Sequence, residues 1–88
     1  MSCMQCRISG RVQGVFFRDS TRKIARQLGL NGSAVNLPDG SVQVVACGEQ
    51  QNLEVLKNFL SEGPSRASVD QVNCETAEVD PPSGFRIG

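Results

Sequence analysis

The hydrophobic period of this chain changes repeatedly, and the order of those changes constrains the fold more than any other feature. From Met4, alternate residues are apolar or small (Met4, Cys6, Ile8, Gly10, Val12), while Gln5, Arg7, Ser9 and Arg11 between them are polar. A period of two with one covered face predicts a strand. Gly14 breaks it. A period near 3.6 then places Phe17, Ile24, Ala25 and Leu28 on one helical stripe, and Gly29 stands where a helix end favours φ > 0. Residues 33–37 and 41–47 flank Pro38-Asp39-Gly40 as strands of a β-hairpin, with Val42, Val44 and Ala46 on its covered face. Leu53, Leu56 and Leu60, with Val55 and Phe59 beside them, mark a second amphipathic helix that Gly63-Pro64 ends. Val69, Val72 and Cys74 predict a fourth strand, and Phe85-Arg86-Ile87 a short fifth one after Pro81-Pro82.

That order predicts an α+β, ferredoxin-like βαββαβ sandwich, an antiparallel sheet with two helices on one face plus a short fifth strand. Right-handed crossovers put the first strand between the third and fourth, and the third between the first and second. Eighty-eight residues are read as one domain, 1–88. Such a layout serves binders and enzymes alike, so function must come from the site.

Composition removes several classes. Apolar residues make up 39% of the chain, too many for disorder, yet they are too scattered for a membrane span. With no long apolar leader, the expectation is a soluble, cytoplasmic protein with no membrane partner. There is no His, which excludes imidazole metal ligands and His-dependent nucleophilic catalysis. Residues 1–36 hold six basic side chains and one acid, a net of +5, whereas residues 37–88 hold three basic and eight acidic, a net of −5. Either two solvated faces attract each other, or the first third handles an anion.

Cys3 and Cys6 are three apart but lie on a strand, and the partner ligands of a zinc site are missing, so no metal is expected. Cys3 and Cys47 fall on the open face at one end of neighbouring antiparallel strands, where geometry permits a disulfide. A reducing cytoplasm argues against a permanent bond. Cys6 and Cys74 are expected to face the core as small apolar groups.

The segment Gly10-Arg11-Val12-Gln13-Gly14-Val15-Phe16-Phe17-Arg18 joins strand to helix with the ingredients of an anion cradle. Gly lets the backbone curl, successive N–H groups converge, the helix start adds partial positive charge, and Arg18 supplies a planar fork. It lacks the Lys-Ser/Thr of a nucleotide P-loop. A plain connection is the other reading.

This segment, with Ala25-Arg26-Gln27-Leu28-Gly29-Leu30-Asn31-Gly32 and Asn36-Leu37-Pro38-Asp39-Gly40-Ser41-Val42, closely resembles the acylphosphatase family. Ala46-Cys47-Gly48, Gly63-Pro64-Ser65 and Phe85-Arg86-Ile87 resemble its small single-domain bacterial members. The resemblance implies hydrolysis of the carboxyl–phosphate anhydride of acyl phosphates to carboxylate and inorganic phosphate, without metal or cofactor. It implies that the backbone of Gln13, Gly14, Val15, Phe16, Phe17 and Arg18 and the Arg18 side chain hold the phosphate. It also implies that Asn36 orients the attacking water. Related domains occur inside larger hydrogenase-maturation enzymes; this chain is read as a free-standing monomer.

Two positions depart from the family pattern: Ser33 stands where an aromatic is common, and Val35 where Lys or Arg is frequent. Ser33 removes packing, and Val35 removes a charge near the mouth. A non-catalytic phosphate or acyl-phosphate binding module of the same fold is the alternative, separated by turnover of benzoyl phosphate. An RNA-binding sheet would need aromatics on its open face, where this chain has Arg7, Ser9, Gln43 and Val45. No nucleic-acid partner is expected.

Overall fold

The computed structural model of the protein describes residues 1–14 and 16–88. Its elements are β1 (Ser2–Arg11), α1 (Phe17–Gln27), β2 (Asn31–Asn36), β3 (Val42–Gly48), α2 (Gln50–Glu62), β4 (Ser68–Thr76) and β5 (Phe85–Ile87). The strand order is β4-β1-β3-β2-β5, the ferredoxin-like arrangement that right-handed crossovers require. The β1–β3, β1–β4 and β2–β3 pairs are antiparallel. β5 adds alongside β2 in parallel, so the sheet is mixed rather than wholly antiparallel.

Directly paired residues share a face, and the register aligns the apolar sets of the central strands. Cys6 pairs with Val44, which pairs with Ala34; Ile8 pairs with Val42. All five are fully buried beneath the helices, together with Phe17, Ala25, Leu53, Leu56 and Leu60. Thr21 also lies in the α1 stripe and is fully buried, where its hydroxyl donates to the Phe17 carbonyl at 2.8 Å. That satisfied hydroxyl explains a polar residue in the core. Val55, in contrast, is half exposed on α2.

Gly63 ends α2 at φ +70, and a Cβ there would approach the Phe17 ring to 2.9 Å. Its absence lets the end of α2 close over Phe17, whose ring also meets Phe59 with centroids 6.4 Å apart. The first residue of α1 is thereby clamped into the core.

The cysteines pair across strands. Cys3 faces Cys47 in the β1–β3 register, Cα to Cα 4.0 Å, with an S–S distance of 2.03 Å. Cys6 faces Cys74 in the β1–β4 register with the same Cα separation and an S–S distance of 2.04 Å. Cys6 and Cys74 do face the helix-covered core, as expected, but not as independent apolar groups: they are opposed across the β1–β4 register, within bonding reach. Cys47 is fully buried although it belongs to the open face. Residues 77–84 cross the sheet at this end. The Ala77 N–H donates to the Cys3 carbonyl (3.0 Å), and the Val79 carbonyl oxygen lies 3.9 Å from Cys3 Sγ. Farther along, the Gly84 N–H donates to Asn31 Oδ1 (3.0 Å).

Candidate active site

The turn from β1 into α1 is built from two backbone positions that curl the chain. Gly14 has φ +72 with open space where a Cβ would stand, so glycine answers a conformational need there. Phe16 is left-handed at φ 62, ψ 21 and serves as the N-cap of α1 without a side-chain capping bond. A helix start that no side chain caps presents donor N–H groups and the positive end of the dipole to whatever approaches. Val15, included in the cradle on sequence grounds, lies outside the described residues.

Arg18 sits in the first turn of α1, a position where the dipole disfavours a cation. Its Nη1 donates to the carbonyl oxygen of Gly88, which follows β5. The Gly88 N–H in turn donates to the Ala34 carbonyl of β2 at 3.1 Å, so the acceptor is itself tied to the sheet. One terminal nitrogen of the guanidinium is thus fixed from β5.

Asn36 is the last residue of β2 and is exposed. It pairs with Val42, which pairs with Ile8. This rung lies on the helix-covered face, just before the point where β1 gives way to the cradle. The parallel direction of β1 and β2 thus brings Asn36 to the sheet end from which α1 starts.

The Gln13 side chain, which the sequence reading used only for its backbone, links the two parts. Its Nε2 donates to the carbonyls of Leu37 and Ser41, each at 2.9 Å, spending both amide hydrogens on the hairpin turn that follows Asn36. The turn has its own lock. Asp39 Oδ1 accepts from the Ser41 N–H (3.0 Å) and from the Ser41 hydroxyl, an Asx-type closure. Arg7 on β1 forms an ion pair with Asp39, and its Nε donates to Ser41 Oγ at 3.3 Å. Pro-Asp-Gly-Ser was a readable turn signal; the reach of Gln13 across 24 and 28 positions had no local signature.

A pocket of about 260 Å³ opens at the cradle, lined by Gly14, Phe16, Arg18, Asp19 and Ile87 among others. Asp19 is engaged by Arg22 and by Lys23 (3.5 Å), which leaves Arg18 as the cation facing the pocket among its described lining residues. Among the described residues no group of three His, Cys, Asp or Glu is placed to hold a metal ion.

The acylphosphatase family profile matches residues 4–87. An acylphosphatase from Halorhodospira halophila is 48% identical over 84 residues, covering 96% of this chain and 91% of the relative. The solved structure of an acylphosphatase from Coxiella burnetii is 46% identical, superposes with a TM-score of 0.93, and is matched over 99% of this chain and 92% of its own. The crystal structure of acylphosphatase from Bacillus subtilis reaches a TM-score of 0.95 at 26% identity, over 100% of this chain and 99% of its own. The chain belongs to the acylphosphatase family, enzymes that hydrolyse acyl phosphates.

Proposed function

We propose that residues 13–18 hold the phosphoryl group of an acyl phosphate while Asn36 orients the attacking water. The observation that carries this division is the rung Ile8–Val42–Asn36, which brings the end of β2 to the sheet end where α1 begins with Arg18 in its first turn. In this reading the N–H groups of Gln13, Gly14, Phe16, Phe17 and Arg18, with Val15 added from sequence, surround the phosphoryl oxygens. The Arg18 guanidinium offsets the charge that develops on them.

The chemistry asks for little more. A carboxylate is a good leaving group, and phosphoryl transfer depends mostly on positioning and charge stabilisation. Water attacks phosphorus in line, the bond from phosphorus to the acyl oxygen breaks, and the carboxylate departs with the electron pair. The water's proton goes to a phosphoryl oxygen of the substrate, so no side-chain base is required. The Gln13 amide holds the water-orienting and phosphate-holding parts at a fixed spacing.

Hydrolysis of benzoyl phosphate, followed by loss of ultraviolet absorbance, tests the reading. Turnover should proceed unchanged in excess chelator, and inorganic phosphate should inhibit competitively. Activity that returns only on adding a divalent cation would refute it.

We further propose that residues 1–88 act as one domain and as a monomer, without nucleic acid, in the cytoplasm. No described helix is long and apolar enough to cross a membrane. The cysteines test the compartment. In a reducing cytoplasm, alkylation on rapid lysis should trap four free thiols, whereas protection of both pairs would point to an oxidising location.

A further inference from the structure

Holding phosphate does not account for the side chain at the cradle's mouth. Phe16 is 68% exposed although its backbone is fixed in the left-handed region, which residues bearing a Cβ enter rarely and keep only where the surrounding chain imposes it. Ile87, on β5, is 37% exposed and lines the same pocket. Single exposed hydrophobes need no explanation. Two large ones, brought from opposite ends of the chain to the pocket that holds Arg18, do.

An acyl phosphate bound with its phosphoryl group in the cradle must send its acyl group out through this mouth. We propose that Phe16 and Ile87 form an acyl shelf, and that the enzyme favours acyl phosphates whose acyl group is apolar and of ring or branched-chain size over acetyl-sized ones. The inference rests on the phosphoryl group occupying residues 13–18. Two observations give the direction of the preference. Flat apolar surface from Phe16 and the branched Ile87 rewards an acyl group large enough to cover both. Arg18 is the one cation among the described lining residues and is engaged by phosphate, while Asp19 lines the same pocket and Val35 adds no charge, so a second anionic group gains nothing here.

The test compares kcat/KM for benzoyl phosphate and acetyl phosphate in the parent enzyme, Phe16→Ala, Phe16→Leu and Ile87→Ala. Alanine keeps the Cβ, and with it the backbone constraint at position 16, so the change reports on the ring. The benzoyl-to-acetyl ratio should fall about tenfold in Phe16→Ala, the scale on which an apolar pocket discriminates. It should fall less in Ile87→Ala and hold in Phe16→Leu. Taking the ratio removes the intrinsic reactivity difference between the two substrates. If Phe16→Ala also weakens inhibition by inorganic phosphate, the ratio in Ile87→Ala decides: a fall supports the shelf and an unchanged ratio overturns it. A parent enzyme that hydrolyses both substrates, with the ratio unmoved in both alanine variants, rejects the shelf alone. A parent enzyme that hydrolyses neither rejects the phosphate-site reading beneath it.

Discussion

Arg18 puts a guanidinium at the end of a helix where the dipole already attracts anions, and the Gly88 carbonyl holds one of its terminal nitrogens in place. On the proposed reading, a side chain anchored in this way would meet the phosphoryl group in the bound substrate and in the transition state alike. Arg18→Ala should therefore weaken inhibition by phosphate and lower turnover roughly 100-fold or more, the usual loss when a charge-stabilising donor is removed. Arg18→Lys should not rescue it, because an ammonium cannot hold Gly88 and present a planar fork together. Asn36 should behave differently. If it touches only water, Asn36→Ala lowers kcat strongly and leaves the phosphate inhibition constant near the parent value, as expected of a contact made only in the transition state. Steady-state kinetics with phosphate as inhibitor distinguishes the two, and equal losses of phosphate affinity would contradict the division of labour.

Among the elements, α1 is where fold and site meet, since its first residue is in the core and its second is Arg18. Phe17→Ala should destabilise by about 3–5 kcal/mol, the range for emptying a buried aromatic site. Urea denaturation would read this as a lower midpoint at similar m-value. The elements themselves were legible because each strand or helix repeats its apolar residues several times. β5 was not so legible in orientation: three residues carry no periodic signal, and only pairing with β2 makes it parallel. Thr21 was missed because a hydroxyl reads as polar until its helical acceptor is known. The irregularity opposite Ser9 and Gly10, where the β4 partner jumps from Gln71 to Val69, belongs to a pair of strands and to neither sequence alone. At the site, the topology was enough to send Gln13, Gly14, Phe16, Phe17, Arg18 and Asn36 to one sheet end. The anchors on Gln13 and Arg18 depend on contacts up to 70 positions apart, which no local pattern encodes.

For the molecule as a whole, the two cysteine pairs bind β1 on both sides, to β3 through Cys47 and to β4 through Cys74. Their sequence separations are 44 and 68, long loops whose closure restricts the unfolded chain. Each bond should add about 2–4 kcal/mol, and the two should not sum fully because the loops overlap. Reductant should lower the urea midpoint, and Cys6→Ser with Cys74→Ser should reproduce part of that drop. Identical denaturation with and without reductant would mean that the bonds do not form in solution. Phosphate should raise the melting temperature of oxidised and reduced protein alike, since a ligand of the folded state acts by mass action whether or not the cysteines are bonded.

The position of β1 between β3 and β4 also governs when in its own synthesis this enzyme can begin to work. β1 leaves the ribosome before either of its partners, and one of them, β4, exists only once synthesis has passed Ser68–Thr76. Until then the nascent chain offers β1, β3 and β2 with the two helices, a sheet in which β1 is an unpaired edge. Pairing strands so distant in sequence requires closing a long loop before any contact rewards it, which makes such steps slow. Translation must therefore pass β4 before the strand that leads into the cradle is paired on both sides, and a message cut short before β4 should yield chains in which that strand is an open edge.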